Sequence, residues 1–140
     1  MSRRSILRSV GGTSALEFAI AAPVLLSVVI GITEVGRLYY AHADLRNAVA
    51  AGARKAAIYP TPSDTDISDA ITSHLAGLER SRVVGPELVH GRAANGYAYL
   101  DIRVRYSANV NLIFVSTASV PMEEKRRVYV QEKIDDLTGS

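Results

Sequence analysis

Between Gly11 and Ile32 the chain is a near-continuous apolar run, interrupted near its start by one carboxylate, Glu17. Thr13 to Ile32 is 20 residues. At 1.5 Å per residue a helix of that length reaches about 30 Å, one hydrocarbon core. This run constrains the fold more than any other feature, because it must be covered by lipid or by protein. Pro23 would break a soluble helix but is tolerated in a membrane helix, at most as a slight kink. An acid at the bilayer centre costs about 2.5–3.5 kcal/mol on insertion scales, and less near the edge. Glu17 therefore calls for a partner or a function.

The charge pattern fits a membrane anchor. Arg3, Arg4 and Arg8 lie in the first twelve residues, with no acid among them. Taking those three from the 16 Lys and Arg leaves 13, against 14 Asp and Glu. The basic character thus belongs to the leader and reads as a topology signal, with the leader cytoplasmic and the chain after about Tyr40 outside. It does not read as a nucleic-acid footprint. A cleaved secretory signal is disfavoured. The run is long for one, no A-x-A-like break follows it, and Gly36–Tyr40 continues in helical register.

Beyond the run, Glu34 and Arg37 are spaced to pair on one helix face at the boundary. Tyr39 and Tyr40 suit the headgroup level. From Leu38 to about Tyr59, Leu38, Leu45 and Gly52 recur every seven residues, with Ala41 and Ala48 between them. This stripe of small residues, continued by Ala50, Ala51, Ala53, Ala56 and Ala57, suits close approach of another backbone. That backbone could belong to the chain's own domain or to another subunit. One helix from Thr13 to Tyr59 would be about 70 Å long. Pro60-Thr61-Pro62 ends it.

Ser63 or Asp64 can cap a second helix over about Thr65–Leu78, with Ile67, Ala70, Ile71, His74, Leu75 and Leu78 on its apolar face. Glu87–Arg92 is a candidate strand, and Asn95-Gly96 signals a type I′ hairpin. Tyr97–Tyr106 alternates cleanly. Ala98, Leu100, Ile102, Val104 and Tyr106 face one way, and Tyr97, Tyr99, Asp101, Arg103 and Arg105 the other. Asn109–Ser119 reads as an apolar-tinged loop, Lys125 to about Glu132 as a third strand, and Asp135–Ser140 as a frayed tail.

Catalytic and metal signatures are absent from the sequence. It has no cysteine, which excludes disulfides and thiolate chemistry. His42, His74 and His90 lack metal-ligand spacing. Asp64, Asp66 and Asp69 lack the glycine and terminal glutamate of a calcium loop and suit an acidic helix N-terminus better. Tyr97, Tyr99, Arg103 and Arg105 could form a basic aromatic patch, but a solvated strand face is the expectation. No enzyme, cofactor or nucleic-acid partner is expected.

Gly12-Thr-Ser-Ala-Leu-Glu17-Phe18 resembles a type IV prepilin processing site: a glycine before the cut, an acid at the fifth mature position and an aromatic at the sixth. The Glu-aromatic pair is similar to the Flp branch of the tight-adherence systems. Glu34-Val-Gly36-Arg37-Leu-Tyr-Tyr40, Leu45-Arg-Asn47-Ala48 and Gly52-Ala53-Arg54-Lys-Ala56-Ala57 resemble the TadE-like pseudopilins. The plain Thr13-Ser14 start departs from the pattern without disturbing it. The resemblance implies a minor pseudopilin of the bacterial inner membrane that takes part in Flp pilus assembly and tight adherence. Its implied partners are a prepilin peptidase that cuts between Gly12 and Thr13, other pilins or pseudopilins, the inner-membrane assembly platform and membrane lipid. The alternative is an uncleaved single-pass protein whose outer domain binds a partner.

The expected fold is α+β, with a long N-terminal helix, one further helix and a three-stranded antiparallel sheet. Residues 1–12 form the cleaved leader and 13–33 the span. Residues 34–59 form the amphipathic continuation, and 60–140 the small extracytoplasmic domain.

Overall fold

The computed structural model describes residues 11–112 and 115–131. The basic leader, apart from its two glycines, and the expected tail Asp135–Ser140 lie outside the described residues. The fold is α+β, as the patterning predicts. Helix α1 (Gly11–Ala56) and helix α2 (Asp64–Ser73) pack on a sheet of strands β1 (Val83–Arg92), β2 (Ala98–Leu112) and β3 (Val115–Tyr129). The sheet is antiparallel throughout, in the order β1-β2-β3.

α1 is a single helix of 46 residues containing Pro23. Arg54 and Lys55 in its last turn complement the negative end of the helix dipole. Its C-terminal half is the spine of the domain. Ala41, Leu45, Ala48, Val49, Ala53 and Ala56 form one cluster with Ile67, Ile71, Leu75 and Leu78, and with Leu100, Ile102 and Val104 of β2. Burying a Leu, Ile or Val side chain contributes about 1.5–3 kcal/mol. Most of the alanine stripe therefore belongs to the chain's own core: Ala48 and Ala56 have no exposed surface, while Ala50 is half-buried and Ala57 exposed. Gly52 shows why small residues are required there. A Cβ at Gly52 would collide with the side chain of Ile71 and stand 3.6 Å from Ile102 Cδ1.

α2 starts as the sequence predicts. The Ser63 hydroxyl accepts from the Asp66 amide at 3.2 Å and donates to the Asp66 carboxylate at 2.7 Å, a reciprocal cap. Hydrogen bonds donated by the Ser63 hydroxyl, and next by the Ser63 backbone N–H, hold the Asp66 carboxyl below its ordinary pKa. The helix ends at Ser73, not near Leu78. Leu75 and Leu78 still reach the core, but from a turn. His74 is correspondingly exposed, its Nδ1 3.0 Å from the Ala70 carbonyl oxygen, so it is not a packed core residue.

The strands are longer than their alternation suggests. β1 begins at Val83, ahead of the expected Glu87, and passes a register irregularity between Val84 and Glu87. Gly85 lies there at φ +108°, with Pro86 after it. The β1–β2 turn falls at Asn95-Gly96 but is not type I′. Only Gly96 has positive φ, so Asn95 keeps ordinary geometry. The Gly96 amide donates to the Ala93 carbonyl and the Ala93 amide to Tyr97, the three-residue loop with a glycine bulge.

The expected loop Asn109–Ser119 is mostly strand. β2 runs on to Leu112 and β3 starts at Val115, with Asn109 paired to Ser119 and Val110 to Ala118. β3 ends at Tyr129, not near Glu132. As the alternation predicts, Leu100, Ile102 and Val104 face the helices with no exposed surface. β3 is an edge strand, blunted by Pro121 and by Glu124 and Arg126, which pair across from the inward-facing Val104 and Ile102.

Candidate functional site

The residues singled out by the sequence lie at three stations along α1. At the first, α1 opens at Gly11, so the Gly12–Thr13 peptide is already in helical backbone. Glu17 and Phe18 follow on the exposed surface, Phe18 at 72 %. Glu17 borders a shallow apolar groove with Ile20, Ala21, Val24, Leu25 and Val28. No ion pair to Glu17 is formed among the described residues. Around it the helix is apolar and uncovered. Leu16, Ile20, Val24, Leu25, Leu26, Val28, Val29 and Ile32 are all exposed. This is a helix long and apolar enough to cross a membrane, and its apolar window is wholly unburied.

The second station begins at Glu34, about 25 Å further along the axis. Arg37 Nη1 donates to Glu34 Oε1 at 3.2 Å, the pair predicted from their spacing. The two ends of this pair differ in environment. Glu34 is buried, at 8 % exposure, while the Arg37 side chain is 73 % exposed. The guanidinium thus reaches back to a shielded carboxylate while staying open on its other side, which offsets the cost of burying the acid. Both residues and Tyr40 border one open cleft of about 240 Å³ with Ala41, Asp44, Gly77, Tyr106 and Asn109. Tyr39 and Tyr40 project outward with their rings edge-on, 6.4 Å between centroids. Gly36 has open space where a Cβ would be, so the fold of this chain does not need its smallness.

At the third station the predicted residues separate. Leu45 and Gly52 are inside the core, while Arg54 is exposed. Leu45 and Gly52 are packing residues of the domain.

Three groupings were not predicted. Tyr106, Asn109, Asp44 and Gly77 join Glu34 and Arg37 only because β2 continues past Tyr106 alongside α1. His90 Nε2 lies 2.9 Å from Asp64 Oδ1, joining β1 to the start of α2. On the outer face of the sheet, Arg127 donates to both Asp101 oxygens at 2.7 and 2.8 Å and lies 3.8 Å from the centre of the Tyr99 ring. The Arg127 hydrogen bonds hold the Asp101 carboxyl below its ordinary pKa. Opposite charges at paired positions Asp101 and Arg127 were the available signal, but reading it required the register. On the same face Arg103 pairs with Glu123 and Arg105 with Glu87, each at 3.4 Å. Among the described residues no cluster of His, Asp or Glu is arranged to hold a metal ion.

These features define a class: a chain with one membrane-span-like helix whose far half is the core of a small α+β domain. Residues 12–54 match the family model described as TadE-like protein, and over that stretch the chain is similar to that family. No curated protein and no solved structure matches the chain.

Proposed function

We propose that this protein is a minor pseudopilin of the Tad pilus system, anchored in the bacterial inner membrane and acting in the assembly of Flp-type pili for tight adherence. The observation that carries the reading is the TadE-like match, which opens at Gly12. In this reading a prepilin peptidase removes the cytoplasmic leader between Gly12 and Thr13. The span holds the processed protein, with the α+β domain outside. Its partners are other pilins or pseudopilins and the inner-membrane assembly platform. Its role is structural, with no nucleic-acid partner.

The geometry supplies a reason for each part. The scissile peptide lies in the first turn of α1, so the peptidase must unwind it. Gly11 and Gly12 ease this, since each glycine weakens a helix by about 1 kcal/mol relative to alanine. The cut creates an α-ammonium on Thr13 at the helix N-terminus, where the dipole disfavours a cation. Glu17, one turn on and exposed, can offset that charge in its own chain or in a neighbouring subunit. In low dielectric such a charge-assisted contact is strengthened.

N-terminal sequencing of the mature protein from membranes tests the reading. It should begin at Thr13; a start at Met1 or Ser2 would favour the uncleaved single-pass protein. In the same cells, lacking the native copy, Glu17→Leu protein should be inserted and cleaved yet leave pili unassembled.

A further inference from the structure

Glu34 is the first charged residue after Glu17, and it follows Ile32, the end of the apolar run, by two positions of the same unbroken helix. Two positions are about 3 Å along the axis, and Arg37 is about 4.5 Å further on. Where a helix leaves a bilayer, the headgroup layer adds about 5–7 Å to each side of the hydrocarbon core. The Glu34–Arg37 pair therefore stands at the level where acyl chains give way to headgroups.

The cleft beside this pair has a charge imbalance. Glu34, Arg37, Ala41 and Asp44 succeed one another by three, four and three residues, so they share one face of α1. Of the side chains that border the cleft, the charged ones are Glu34, Arg37 and Asp44, two carboxylates against one guanidinium. Arg37 Nη1 donates to Glu34 Oε1, and among the described residues no donor reaches Glu34 Oε2 or either oxygen of Asp44. Glu34 is buried and Asp44 half-buried. The turn at Gly77 closes on Asp44 so nearly that a Cβ there would stand 2.8 Å from Oδ2. Shielded carboxylates are stabilised by a cation that can also donate hydrogen bonds. Arg37 has the opposite vacancy: its exposed guanidinium keeps N–H groups beyond the one given to Glu34.

We propose that the cleft holds the headgroup of a zwitterionic phospholipid carrying a primary amine, with the phosphate on Arg37 and the ammonium on Glu34 inside the cleft. The inference rests on α1 spanning the membrane. In such a headgroup a two-carbon link joins the two charges. They lie beside the adjacent Glu34 and Arg37 charges in the opposite sense, so each meets its opposite. The ammonium donates to Glu34 Oε2, and Asp44 at the other end of the cleft adds to the field that draws it in. An anionic lipid would bring a further negative charge to a cleft already negative, whereas a zwitterion brings none. The source is lipid by continuity: the exposed apolar surface of α1 begins at Ile32, directly below, and accepts the acyl chains.

The full chain, freed of lipid in a maltoside detergent, is offered dioleoyl phosphatidylethanolamine, phosphatidylcholine, phosphatidylglycerol or soluble phosphoethanolamine, and native mass spectrometry counts what it retains. The expected result is a single phosphatidylethanolamine per chain, with each of the others held about tenfold more weakly or worse. Arg37→Gln should abolish that preference and Asp44→Asn should weaken it, with circular dichroism reporting that each variant is folded. The comparison of lipids on the parent chain decides the matter even where a variant unfolds. Phosphatidylcholine held as tightly would overturn the inference, because a quaternary ammonium has the charge but no N–H to give. Phosphatidylglycerol held as tightly would overturn it by making Arg37 a plain anion contact, and phosphoethanolamine held as tightly would overturn the lipid as source. Retention unchanged in both folded variants would also overturn it. Alkaline carbonate extraction from vesicles tests the span separately. A chain that resists extraction but shows no preference for phosphatidylethanolamine overturns the inference alone, and a chain released by carbonate overturns the span and the inference together.

Discussion

Leu25 and Leu45 lie on one unbroken helix, yet Leu25 is 64 % exposed and Leu45 is completely buried. The two halves of α1 share residue types and differ in what covers them. Around Leu45, α2 and β2 supply the cover, and the packing is tight enough that Gly52 has no room for a methyl group. Around Leu25 the described residues supply none, and Gly36 at the junction looks onto open space. Helical apolarity alone therefore does not say whether a segment is core or span; the rest of the chain decides by where it returns. The lower half carries its own second signal, the acid Glu17, which sits in an uncovered apolar surface and forms no ion pair among the described residues.

The largest difference between the halves should appear on truncation. Leu45→Ala should destabilise the domain by about 2–5 kcal/mol, whereas Leu25→Ala should leave domain unfolding unchanged. Denaturant unfolding of the full chain in detergent measures both. The two glycines come next. Gly52→Val should cost about 1–3 kcal/mol through overpacking against Ile71, and Gly36→Val nothing in the same assay. A loss of stability at Gly36→Val would show that the junction is packed within the chain after all.

The smallest effect belongs on the outer face of the sheet, away from α1, and calibrates the other two. Asp101 has its pKa lowered by Arg127, so the stability it contributes is present above the unfolded carboxyl value of about 4. It is lost as pH falls through the lower folded value. Asp101→Asn should therefore be slightly less stable than the parent at neutral pH, with the gap closing in acid. A gap that persists at low pH would mean the loss is one of packing. An effect comparable to that of Leu45→Ala would overturn the ranking, because exposed pairs contribute little.

Where the sequence carried contrast, the fold was legible. The apolar run, the Ser63 cap, the Glu34–Arg37 pair and the alternation through Leu100, Ile102 and Val104 each rest on local spacing that local physics enforces. The hairpin half between Tyr106 and Met122 was not legible. Alternation is visible only when one face is wet and charged, and this stretch has no charge on either face. Its strand character is set by pairing across β2 and β3, a tertiary fact. His74 was misplaced for a related reason: helical spacing predicts its face only while the helix lasts, and α2 stops one residue before it. The turn at Asn95-Gly96 was placed correctly but given the wrong geometry, since a glycine bulge and a type I′ turn share the same dipeptide. At the candidate site the helix-borne residues were found by spacing. Tyr106, Asp44, Gly77 and Asn109 were not, because only the return of β2 brings them together.

The division of α1 at Glu34 is the central claim, and accessibility along the helix tests it most directly. The chain has no cysteine, so each single-cysteine variant reports one position. Val24→Cys, Val28→Cys and Ile32→Cys should resist a membrane-impermeant maleimide in intact membranes. Tyr39→Cys and His42→Cys should label readily from the outer side. Labelling of Val24→Cys and Val28→Cys as fast as Tyr39→Cys would contradict the account, because the exposed apolar half would then face water and not lipid.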